Sequence, residues 1–242
     1  MMKYYSIENS LNETLMGKIP QIKEFIHHCN IETNPNSIDK FIFEKIEIQP
    51  ILSNIVLYAK AKQNDFINTY GHVGFGFGNL ISDKLKLILE DFNCYGFQFF
   101  KTYILQNNKK NDNYWQTNIY DFPYQFIDFK NTIVSLKDGI TRKVVSEPSN
   151  INNLEDFKSL IDTLEFPISI SLSNLSFNEN MDLDFFTLRF FENSGSNGIV
   201  SERLKNELEK NEITGIEFRP IELPLQEWYH SGEREKIYGK SW

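Results

Sequence analysis

Two histidines and a thiol stand together at His27-His28-Cys29, and a third histidine, His72, sits inside the glycine-rich stretch Gly71-His-Val-Gly-Phe-Gly-Phe-Gly78. Cys94 and His230 are isolated. A Cys-His pair could make an activated thiolate, but neighbours in a helix or strand point apart, so Cys29 would need a histidine from elsewhere in the chain. The competing reading makes all of these structural or surface residues. Metal chemistry lacks its spacings: there is no CxxC, His-x-x-x-His or His-Glu-x-x-His, and Asp182-Leu-Asp184 offers only two ligands. No metal and no cofactor is expected, and no catalytic residue is assigned. Any two of the 33 acidic residues could converge as a glycosidase pair, which sequence alone neither supports nor excludes.

The glycines deserve a separate reading. Gly71, Gly74, Gly76 and Gly78 precede a helix start, where backbone N–H groups can cradle an anion. No Gly-Lys-Ser/Thr follows them, and their spacing is not the dinucleotide fingerprint. A turn that needs positive φ explains them without a ligand. A small-molecule-binding domain or enzyme with its pocket at residues 71–78 is kept as the alternative function.

Recognition chemistry is richest in the tail. Glu227, Trp228, Tyr229, Glu233 and Glu235 mix large aromatics with carboxylates, the composition of a partner-binding surface. The alternative is that the rings anchor the tail to the core.

The elements that position these groups follow from composition and pattern. Of 242 residues, 40% are hydrophobic, 14% aromatic and 24% charged, the balance of a soluble protein with material for a core. Only Ala59 and Ala61 represent alanine, so an Ala-rich bundle is disfavoured and strands should be prominent. The polar N-terminal residues and the lack of a long uncharged apolar run predict a cytoplasmic protein without a membrane partner. Net charge is −8; residues 1–150 hold 16 acidic and 16 basic side chains, and residues 151–242 hold 17 and 9. That acidic part argues against nucleic acid and suits a basic protein partner, although acidity also serves solubility alone.

The chain repeats itself. Leu80-Ile-Ser-Asp-Lys-Leu-Lys-Leu-Ile-Leu-Glu-Asp-Phe-Asn-Cys-Tyr-Gly-Phe-Gln-Phe99 aligns without gaps on Ile199-Val-Ser-Glu-Arg-Leu-Lys-Asn-Glu-Leu-Glu-Lys-Asn-Glu-Ile-Thr-Gly-Ile-Glu-Phe218. Identical pairs include Ser82/Ser201, Leu85/Leu204, Lys86/Lys205, Leu89/Leu208, Glu90/Glu209, Gly96/Gly215 and Phe99/Phe218. Each copy reads as a serine-capped helix with leucines one turn apart, then a buried strand opening at the glycine. Cys94 falls opposite Ile213, which marks a small apolar position rather than a nucleophile. A second glycine-bearing approach, Ser194-Gly-Ser-Asn-Gly198, precedes the second copy.

Further strands are expected at 41–48, 55–58, 98–105, 114–120, 168–172 and 185–191, with 98–105 and 114–120 joined as a hairpin across the polar loop 107–113. A helix is expected over 154–164. The fold class is α+β: strand-rich, with antiparallel or mixed sheets, a few short helices and two pseudo-repeated halves, 1–147 and 148–242, packed as one unit. A self-pairing assembly protein using exposed strand edges is a third reading.

The repeated Ser-Asp/Glu-Lys/Arg-Leu-Lys unit, ending in Gly-Phe-Gln-Phe99 or Gly-Ile-Glu-Phe218, resembles a signature of immunity proteins encoded beside bacterial polymorphic toxins. Tyr114-Trp-Gln-Thr-Asn118 and Ile127-Asp-Phe129 resemble that group's continuation, with Phe129 where an aliphatic residue is more usual. The likeness covers residues 78–130 and 184–220. It implies a cytoplasmic, non-catalytic antidote that binds a cognate toxin domain and blocks its active site.

Overall fold

The computed structural model describes residues 2–76, 78–192 and 198–241. Its elements, in chain order, are β1 (Tyr4–Asn9), α1 (Glu13–Met16), β2 (Ile22–Ile26), β3 (Asn54–Leu57), β4 (Phe66–Ile67), β5 (Leu80–Ser82) and α2 (Asp83–Glu90). There follow β6 (Phe97–Gln106), β7 (Lys109–Ile119), β8 (Ile133–Asp138), β9 (Val144–Ser146), α3 (Leu154–Asp162) and β10 (Ile168–Ser173). The chain closes with β11 (Phe185–Thr187), β12 (Gly198–Ser201), α4 (Glu202–Lys210), β13 (Ile216–Pro220), α5 (Leu225–His230) and α6 (Glu233–Tyr238). The α+β, strand-rich expectation holds.

Three sheets carry the fold, in the orders β2-β3-β6-β7-β5-β4, β11-β12-β1-β13 and β10-β8-β9. Every pairing is antiparallel except β3 with β6. Both copies of the repeat form as read. Ser82 Oγ accepts from Leu85 N and Ser201 Oγ from Leu204 N, so each serine caps its helix. Leu85, Leu89, Leu204 and Leu208 meet in one core cluster with Ile81, Val200 and Phe218, which fastens the two copies face to face. A small cavity of about 60 Å³ remains between the copies, bordered by Phe66, Phe185, Leu89 and Leu208.

The second copy is completed from far away. In the first copy, β7 lies between β5 and β6 and follows β6 directly in the chain. In the second, the corresponding place between β12 and β13 is taken by β1, the first strand of the molecule. The registers agree: Ser82 faces Tyr114 as Ser201 faces Tyr4, and Phe99 faces Thr117 as Phe218 faces Ile7. Tyr4-Tyr5 therefore stands where the first copy has Tyr114-Trp115. Likewise β8, at the centre of the third sheet, pairs with β9 before the boundary at residues 147 and 148 and with β10 beyond it.

Three local expectations change. The polar loop 107–113 is a two-residue turn: Asn107 and Asn108 both take positive φ (52° and 61°), and pairing continues to Gln106 and Lys109. Asparagine tolerates that left-handed geometry, which matches strand twist. Phe41–Ile48 is irregular rather than a strand. Phe43 has φ 57°, and the side-chain amide of Gln98 takes a strand partner's place, accepting from Ile46 N at 2.8 Å and donating to Ile46 O at 2.9 Å. Of the run 185–191, only Phe185–Thr187 is strand. The approach 194–197 lies outside the described residues. Among those described, no helix is long and apolar enough to cross a membrane.

Candidate functional site

The residues repeated between the copies are structural. Lys86 packs 4.5 Å over the Trp115 ring and 5.9 Å over Phe99, and pairs with Glu90 one turn along its helix. Lys205 does the same over Tyr5 and Phe218, with Glu209 at 2.7 Å. The identities Lys86/Lys205, Glu90/Glu209 and Phe99/Phe218 thus describe one arrangement built twice: a lysine whose stem and charge are held by aromatic faces and a carboxylate.

A further pair extends the repeat upstream. Asp65-Phe66 and Asp184-Phe185 stand 119 positions apart, as Ser82 and Ser201 do. Each aspartate holds its own serine cap, Ser82 to Asp65 at 2.7 Å and Ser201 to Asp184 at 2.5 Å. Each also holds the other copy. Asp65 Oδ2 accepts from Thr214 N and Thr214 Oγ1, both at 3.0 Å, and Asp184 Oδ2 accepts from Asn93 N at 3.1 Å. The loop after each helix is therefore pinned by the aspartate of the opposite copy. The shared Asp-Phe at this offset is the signal in the sequence that marks the clasp.

This settles Asp182-Leu-Asp184. Asp184 is buried and also accepts from Arg203 Nε, while Asp182 takes Asn93 Nδ2 on its carboxylate and Arg203 Nη2 on its carbonyl. Among the described residues no group of three or more His, Cys, Asp or Glu could hold a metal ion.

The histidines are dispersed in the same way. His27 and His28 point apart: His27 Nδ1 meets Ser53 Oγ at 2.9 Å, and His28 Nε2 meets Asn54 Oδ1 at 2.5 Å. His72 stacks on Phe25 with 3.5 Å between ring centroids, 6.1 Å from the His27 ring. His230 is exposed at the end of α5. Cys94 Sγ donates to Leu89 O at 3.1 Å, and burial pushes its thiol up to about 12, so it is held neutral. Cys29 is a free, partly buried thiol.

The glycine-rich loop does form an anion cradle, and the chain fills it. Asp39 accepts from Gly74 N through Oδ2 and from Gly76 N through Oδ1 at 2.8 Å. Gly74 has φ +94°, and a Cβ there would lie 2.2 Å from Ser53 Oγ. These glycines admit an internal carboxylate and a close wall. Nothing in the spacing of the glycines pointed to Asp39, 35 residues upstream.

The tail divides by side chain. Trp228 is 1% exposed and lies edge-on to Tyr238 at 6.1 Å, so in the free protein it is an anchor, as the competing reading had it. Tyr229 is 37% exposed, and Glu227, Glu233 and Glu235 are exposed. Between them, Arg234 is buried and donates through Nε and Nη2 to both oxygens of Glu217, each at 2.6 Å. Glu217 also accepts from Ser10 Oγ and Leu11 N, so the buried carboxylate is fully served. Its cross-strand partner Glu8 accepts from Arg219 Nε at 2.9 Å, and Arg219 Nη2 reaches Glu192 at 2.8 Å.

In the first copy, the register equivalents of Glu217 and Glu8 are Gln98 and Asn118, which hold the backbone of residues 44–46. Each sheet thus uses one central polar pair to clamp its covering segment. The pair is neutral in the first copy and ionic in the second.

No curated protein matches the chain. A family model described as an immunity protein family, Imm11, matches residues 3–222, a span that includes both copies, the exchanged strand β1 and the two aspartate clasps. Matched over most of its length, the chain belongs to the immunity protein family Imm11.

Proposed function

We propose that this protein is a non-catalytic, cytoplasmic antidote of a polymorphic toxin system, binding a cognate toxin domain and occluding its active site. Membership of the immunity family carries the reading. Two features support it. Three side chains with catalytic potential are engaged in packing and capping: Cys94 on Leu89 O, Asp184 on Ser201, and Asp39 in the glycine loop. The charge excess of residues 151–242, 17 acidic against 9 basic, suits capture of a basic toxin, whose association it would accelerate. Within this proposal Glu227, Tyr229, Glu233 and Glu235 contribute to the contact from the exposed side of α5 and α6, with Trp228 holding the helices in place.

The test is co-expression with the toxin domain encoded immediately upstream, followed by purification, assay of the toxin and growth rescue. The expected result is a stoichiometric complex with toxin activity abolished. The charge reversals Glu233→Lys and Glu235→Lys should weaken binding, most at low salt, while leaving stability within about 0.5 kcal/mol. A toxin that stays active and unbound in the presence of folded protein would overturn the reading.

A further inference from the structure

Three sheets present six edge strands, and the molecule covers four of them. At β4, Phe66 N donates to Thr214 O; at β11, Phe185 O accepts from Tyr95 N; at β10, Leu172 N donates to Phe190 O; at β13, Phe218 N donates to the Tyr238 hydroxyl. The fifth, β2, carries Lys23 and Glu24 in mid-strand, exposed charges that discourage pairing. The sixth, β9, is different. Among the described residues no strand or bridge lies beyond it, and all three of its residues are exposed.

Its side chains are apolar where a free edge is normally charged. Val144 is 52% exposed and Val145 58%, Ile140 in the turn before them is 71%, and Phe166 is 88%. Gly139 N donates to Pro167 O at 2.6 Å, which brings the Phe166 turn against the turn between β8 and β9. An exposed apolar surface joined to an open backbone edge marks a place where another strand pairs.

The charges say which strand that is. Arg142 and Lys143 lead into β9 and Glu147 leaves it, before Pro148 stops further pairing. Glu147 accepts from Ser135 Oγ at 3.3 Å, and among the described residues none of these three charges has an ion-pair partner. A strand that is cationic at its start, apolar in its middle and anionic at its end complements itself in one arrangement: antiparallel, about a two-fold axis, where each start meets the other's end. Parallel pairing would set like charges together. We propose that two copies of this protein pair β9 to β9, joining their three-stranded sheets into one of six. The valines meet near the axis, the Lys143 end of each copy lies against the Glu147 end of the other, and Ile140 and Phe166 extend the contact. The inference is independent of the antidote reading, and α5 and α6 take no part in it.

The experiment is sedimentation equilibrium on the protein alone, from low to high micromolar concentration. Wild type should dimerise. Lys143→Glu gives the strand a carboxylate at each end and Glu147→Lys a lysine at each end, so each variant alone should dimerise about tenfold or more weakly, with an unchanged melting temperature at low concentration. Mixed in equal amounts, the two variants restore the complementary ends and should associate with each other as wild type does with itself. A misfolded variant would not recover on mixing. Short strands bearing lysine and a bulge also serve to guard an edge, and β9 shifts register once against β8. Wild type that stays monomeric throughout would identify β9 as such a guarded edge and overturn the proposal. A dimer that neither substitution weakens would place the contact elsewhere and overturn it equally.

Discussion

Single residues in this protein repeatedly turn chemical potential into architecture. Asp39 plugs the glycine cradle, and Asp65 and Asp184 tie caps to loops. The sequence shows the residue types but not who consumes them, because a carboxylate's partner is chosen by folding over 17 to 149 positions. Neutral burial has a consequence for pH. Burial raises the Cys94 thiol from 9.0 to about 12 and the hydroxyls of Tyr4 and Tyr238 from 10.0 to about 12. For Tyr4 the nearby Asp184 adds to the effect. Between pH 9 and 12 the unfolded chain has released these protons and the folded protein has not. The folded state then binds more protons, and stability falls as pH rises through that window. Urea midpoints measured at pH 8, 9.5 and 11 should decline in that order, with Cys94→Ala delaying the onset toward the tyrosine range. A flat series would contradict the burial described.

At the scale of elements, helix and strand periodicity identified both capped helices, the 98–105 and 114–120 strands and their hairpin, and the helix from Leu154. Those elements are local: a serine cap and leucines one turn apart suffice. What stayed hidden is long-range, such as the side-chain amide of Gln98 replacing a strand partner for Ile46, or the tail helices fixed by Arg234. The glycine before the strand of each copy is legible and testable. Gly215 has φ +94°, and a Cβ would lie 2.2 Å from Phe66 O, a backbone atom that cannot turn aside. Gly71 has φ +62° with nothing within 4 Å. Gly71→Ala should cost about 1 kcal/mol, the left-handed penalty alone, and Gly215→Ala distinctly more. Equal costs in denaturant melts would show that the close approach to Phe66 is relaxed in solution.

For the whole molecule, residues 1–147 and 148–242 are interlaced. β1 sits in the second sheet, β10 pairs with β8, and each clasp crosses between copies. Residues 1–147 and 148–242, expressed separately, should each lack native circular dichroism and resist refolding, yet recover a cooperative melt when mixed. Independent folding of 148–242 would require its sheet to close without β1, against the observed order.

Biosynthesis is where the position of β1 is felt. β1 pairs with residues made roughly 190 to 215 positions after it, so at ordinary synthesis rates it waits about 10–40 s for a partner. Throughout that interval the nascent chain carries an unpaired Tyr-rich strand, and the second sheet cannot close until Phe218 has emerged. On the proposed antidote function, a chain cut short before Phe218 is expected to offer no partial protection, because its second sheet is open.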